Sequence, residues 1–117
     1  MSITRKMLSA SVNGRGIKIT QTSSSGDTIH ETPSGTSTMD VVTLYAVNTA
    51  VYDVNLTLQW GGTSSPDDKI NITLQAFQGL YLVAPKLQLN NGLVVKAYAS
   101  DANVVIIYGG LLRTTDV

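Results

Sequence analysis

With 117 residues the chain has room for one domain and one hydrophobic core. Eight basic against eight acidic residues give a formal net charge of zero, which excludes a domain that holds nucleic acid mainly by neutralising phosphates. The lack of cysteine excludes a disulfide framework and a thiolate zinc site, and an intracellular place of synthesis is the simpler expectation.

The first thirteen residues show no alternation and read as an extended arm, disordered until it meets a partner. Its start, Met1 to Ala10, is basic but lacks the apolar stretch of a secretory signal, so export by that route is not expected. Arg5 and Lys6 in the arm, with Arg15 and Lys18 beyond it, form a basic region, since all eight acidic residues lie from Asp27 onward. Gly14-Arg15-Gly16 marks a turn into a first strand at residues 17–20, and a serine-rich loop then leads to a short strand at 28–31. A second flexible stretch covers residues 32–38.

From Asp40 onward strand follows strand, at residues 41–48, 52–60, 69–74, 79–83, 93–99 and 104–112. The separators are turn-forming: Gly61-Gly62, Pro66-Asp67-Asp68, Pro85, Asn91-Gly92 and Asp101-Ala102-Asn103. The clearest alternation is Val54, Leu56, Leu58 and Trp60 against Asn55, Thr57 and Gln59, repeated by Ile70, Ile72 and Leu74 against Asn71 and Thr73. Trp60 shares the apolar face and is expected in the core, its indole N–H near a polar partner at the sheet end. No helical period of useful length occurs, and no apolar run approaches the ~20 residues of a membrane-spanning helix. The pattern predicts an all-β chain: an arm at residues 1–13, then one β-sandwich over 14–117, jelly-roll-like and of about eight strands.

Residues 41–47, 93–99 and 104–108 are apolar at successive positions, whereas a two-layer sandwich buries only one face of each strand. Charged residues are only 14% of the chain, against roughly 25% in an ordinary domain. Both observations predict a covered outer surface, with a homo-oligomer, a trimer above others, as the expected state. The partner-binding candidates are Arg5, Lys6, Arg15 and Lys18 from the basic region and Val94, Tyr98, Val105 and Ile107 from the apolar strands.

No residue set announces a reaction. His30 beside Glu31 is the only histidine, and neighbours in a strand point to opposite faces, so the pair reads as an ordinary surface or edge pair. Asp67 and Asp68 with Ser64 and Ser65 lack the spaced carboxylates of a calcium loop and read as a turn. The glycine pairs are too short for phosphate cradles, and the serines have no base beside them. Asn55-Leu56-Thr57 and Asn71-Ile72-Thr73 match the glycosylation pattern by chance, lying within strands. No catalytic residue, cofactor, metal or membrane contact is expected.

Several stretches, Leu44-Tyr45-Ala46-Val47-Asn48, Leu56 to Gly62, Gly79 to Pro85, Gly92 to Ala99 and Ala102 to Gly109, are strand and turn motifs. Over roughly residues 40–112 the chain resembles small virion structural proteins of tailed bacteriophages. The resemblance implies a non-enzymatic component of the capsid surface, made in the host cytoplasm: a decoration or cement protein that binds the major capsid protein and stabilises the head. Such proteins are often small trimeric β-sandwiches. The motifs carry no active-site residues, and residues 1–39 have no counterpart in the resemblance. Two other functions fit the same strands: a receptor- or carbohydrate-binding module of a head fibre or tail, and a head-to-tail connector component.

Overall fold

In the computed structural model, which describes residues 1–116, the two alternating segments become an antiparallel pair. Strands β5 (Val54–Trp60) and β6 (Lys69–Leu74) run in register from Val54 opposite Leu74 to Gln59 opposite Lys69. The remaining strands are β1 (Ser2–Met7), β2 (Ile17–Lys18), β3 (Asp27–Glu31), β4 (Thr38–Asn48), β7 (Tyr81–Asn90), β8 (Val94–Ala99) and β9 (Val105–Thr115). They nest around that hairpin: β4 pairs with β7, β3 with β8 and β2 with β9, all antiparallel. This long hairpin wraps into two sheets, β1-β9-β4-β7 with β2 also on β9, and β3-β8-β5-β6. The order is that of a jelly-roll β-sandwich. No helix occurs among the described residues.

The core lies between the sheets, where alternate residues meet: Val42, Leu44 and Ala46 of β4, Leu56 and Leu58 of β5, Val95 and Ala97 of β8, and Val105, Ile107 and Leu111 of β9. Burying each of the larger side chains contributes roughly 1.5–3 kcal/mol. Val105 and Ile107, expected on a partner-facing surface, are fully enclosed in this layer. Strand β9 therefore has one core face and one outer face, and its outward residues are Ile106, Tyr108 and Leu112.

Two further expectations differ from the structure. The arm is extended but seated: Ser2–Met7 pairs with Gly110 to Thr115 of β9, Leu8 enters the core, and the Ala10 amide donates to the Ile29 carbonyl. One buried leucine and a backbone ladder order it, and neither leaves a periodic signal. The arm also supplies the ninth strand. Pro85, expected to end its strand, instead lies inside β7, which tolerates a missing N–H because β7 is a sheet edge.

A candidate docking face

Residues opposite each other in an antiparallel pair share a face. On the side of the five-stranded sheet away from the core, β9 presents Ile106, Tyr108, Gly110 and Leu112, opposite Val47, Tyr45, Thr43 and Val41 of β4. Strand β1 extends this face with Ile3, Arg5 and Met7, and β7 adds Leu82 opposite Tyr45. Ile3 and Met7 are 62% and 58% exposed, and Tyr45, Leu82, Tyr108 and Leu112 are exposed as well. The result is a contiguous apolar surface, a feature that marks interaction sites on soluble proteins.

Its relief follows from small residues. Thr43 and Gly110 face each other between the larger pairs, leaving a shallow groove of about 350 Å³ bordered by Tyr45, Val41, Leu112, Arg5 and Lys86. Gly109 beside them has φ +156°, and a Cβ there would overlap the Thr43 carbonyl oxygen, so only glycine lets β4 and β9 approach. Gly16 lies over Ile106 and Tyr108, where a side chain would collide with both. The groove carries two cations, Arg5 and Lys86, and no acidic residue lines it. Neither cation forms an ion pair among the described residues.

The structure divides the predicted partner-binding residues. Arg5 and Lys18, the latter opposite Ile106, share the apolar face. Lys6 is exposed on the other side of β1, opposite Leu111, and Arg15 sits in the turn whose carbonyl accepts the Ser11 hydroxyl. Val94 and Tyr98 belong to the other sheet and are half-buried. The outer surface there is polar and largely self-satisfied: Thr57 donates to Asn71, Thr73 to Asn55, and Lys69 to the Tyr98 hydroxyl at 3.1 Å. The hydrogen bond from Lys69 lowers the Tyr98 pKa from its ordinary value. Gln59 is covered by the serine-rich loop, its Nε2 donating to the Ser24 carbonyl.

A buried polar network joins the sheets. His30 of β3 is 1% exposed and Asp40 of β4 fully enclosed. The Ser9 amide donates to His30 Nδ1 at 3.0 Å, so the ring proton sits on Nε2 and is donated to Asp40 Oδ2 at 2.7 Å. Arg113 of β9 donates to both carboxylate oxygens, at 2.8 and 3.1 Å. Burial pushes the Asp40 carboxyl up, but the hydrogen bonds from Arg113 and His30 outweigh it and hold the carboxyl below its ordinary value. Arg113 in turn is raised by its bond to Asp40. With both ring nitrogens engaged, His30 offers no lone pair to the polar cleft above it, where Ser9, Glu31, Ser34 and Arg113 reach the surface.

The expectation that His30 is a surface or edge residue is thus corrected. A register shift between Thr28 and His30 turns the consecutive residues Ile29 and His30 both inward. The sequence did carry a signal for its partners: Asp40 is in phase with Val42 and Leu44, and Arg113 with Ile107 and Leu111, all inward positions. Asp68 accepts the Ser64 amide within its turn, and no cluster of three or more metal-ligating side chains occurs among the described residues. No protein-family model, no curated protein and no solved structure matches the chain.

Proposed function

We propose that the protein is a non-enzymatic structural component that binds the exterior of a tailed-bacteriophage head through the outer face of its five-stranded sheet and stabilises the shell as a decoration protein. The observation that carries the attachment is that face: contiguous, apolar, grooved, and bordered by Arg5 and Lys86 without a facing acid. Covering it removes apolar surface from water at about 25 cal/mol per Å², and the two cations select an acidic partner surface. The assignment to a phage head, with the major capsid protein as partner and a trimeric state, rests on the resemblance of the strands and turns between residues 40 and 112. A catalytic reading lacks support, since the one histidine is enclosed and fully hydrogen-bonded.

Cryo-electron microscopy of the intact virion tests the proposal. Hundreds of copies spread over the head lattice, seated by the Tyr45 and Tyr108 face, are expected. A single ring at the vertex or a few copies at a tail tip would overturn it in favour of the connector or receptor-binding functions. Tyr108→Asp combined with Leu112→Asp should abolish attachment while leaving the folded sandwich intact, because both side chains point away from the core.

A further inference from the structure

A sheet edge exposes unpaired N–H and C=O groups, and native proteins cover or break such edges unless another chain uses them. The sandwich has four. On β3 the Ser9–Ala10 segment covers the edge: Ala10 donates to the Ile29 carbonyl and the Glu31 amide donates to Ser9 Oγ. On β7 the edge is interrupted by Pro85, which has no N–H, and by Lys86 in a left-handed conformation at φ +55°. The β6 edge is open, but its outer-face side chains Lys69, Asn71 and Thr73 are already bonded to their own sheet. Strand β1 differs from all three, being regular in register, free of proline and exposed at every residue.

The direction of its backbone groups follows from the ladder. The Thr49 amide donates to the Val104 carbonyl, so even-numbered residues of β9 bond towards β4, and the Ile19 amide donates to Val105, so odd-numbered ones bond the other way. Hence Ser2, Thr4 and Lys6, opposite Thr115, Arg113 and Leu111, are tied to β9, while the amides and carbonyls of Ile3, Arg5 and Met7 face solvent. The side chains of these three residues lie on the apolar outer face. One strand thus offers three free backbone pairs, two apolar side chains and a cation between them.

We propose that the free edge of β1 takes up an acidic extended segment of another protein as an added strand, with a carboxylate opposite Arg5 and apolar side chains opposite Ile3 and Met7. A second copy of the chain is disfavoured by charge. Pairing two β1 strands about a two-fold axis centred on the free groups sets Arg5 against Arg5, and a register shifted by two residues still leaves the two Arg5 side chains diagonal neighbours on one face, with no acid in the first 26 residues. The edge shares Ile3, Arg5 and Met7 with the outer face, but backbone pairing along β1 needs neither Tyr45 nor Tyr108.

The test is amide hydrogen exchange followed by NMR on the full chain, with the acetylated, amidated peptide Ser-Val-Thr-Glu-Thr-Val-Ser as probe. The Ile3, Arg5 and Met7 amides, fast-exchanging alone, should become protected at millimolar peptide, while Ser2, Thr4 and Lys6 are protected from the start. The same peptide with Lys in place of Glu should bind about fivefold more weakly, and Arg5→Glu should reverse that order. Tyr108→Asp should leave the response unchanged, which separates this result from a failure of the outer-face proposal. Equal binding of the two peptides, no protection at these three amides, or protection at Asn71 and Thr73 instead would overturn the inference. Protection that appears without peptide and grows with protein concentration would assign the edge to a second copy and equally overturn it.

Discussion

Burying a carboxylate between two sheets is costly unless its oxygens are filled, and Asp40 meets that condition with donors from His30 and Arg113. Removing one member of such a group strands the others, so Asp40→Asn should destabilise the fold by about 3 kcal/mol in urea unfolding. The pH dependence has a definite sign. Because the folded carboxyl lies below the ordinary 3.8, its contribution is complete above that value and fades as pH falls towards the folded one. The native chain should lose stability as pH falls below about 4, and Asp40→Asn should lose less, as thermal melts through the acid range would register. Trp60 was legible from alternation alone: its ring packs against the core and its indole N–H reaches the Gln88 carbonyl at 3.1 Å. As the ring is only partly buried, Trp60→Ala should cost about 3 kcal/mol, the lower end for an aromatic deletion. An unchanged melting temperature would mean the tryptophan serves a ligand instead.

Elements were legible wherever a strand has one polar and one apolar side, as in β5 and β6, whose limits the alternation places within a residue or two. Strands whose outer face is itself apolar hide their parity. In β9 nothing local distinguishes Ile106 from Ile107, and only pairing with β4 decides which of them is core. The arm was illegible for another reason, since β1 is held by main-chain bonds and buries none of its own side chains. Magnitudes show how little that contributes. Two bonds at each of the pairs Ser2–Thr115, Thr4–Arg113 and Lys6–Leu111 yield about 6 kcal/mol at roughly 1 kcal/mol per bond, and fixing the strand's residues costs about as much. Deleting residues 2–7 should therefore change unfolding stability by less than about 1 kcal/mol while the sandwich persists, checked by circular dichroism and urea titration. A loss of several kcal/mol would show that β1 is a structural necessity rather than an accessory edge.

At the scale of the molecule, a neutral chain with few charges exposes apolar side chains in loops, as at Val51 and Phe77, gathers others into a contiguous face on one side of the five-stranded sheet, and leaves the other sheet a self-bonded polar surface. Composition announced an apolar surface but not the location of that face, because location depends on strand order, which no local pattern encodes. The nested pairing also has a kinetic consequence. The β5–β6 hairpin joins neighbours in sequence, whereas β1 and β2 must find β9, nearly the whole chain away. Closing so large a loop before any reward is slow, so assembly should zip outward from the hairpin and finish at the chain ends. Pulsed hydrogen exchange during refolding should find the amides of β5, β6 and β8 protected before those of β1 and β2, and refolding in the millisecond-to-second range typical of non-local β topologies. During synthesis the same geometry keeps the N-terminal strands unpaired until residues 105–115 emerge. The outer apolar face is therefore completed last, when β9 joins the part that β4 and β7 already form.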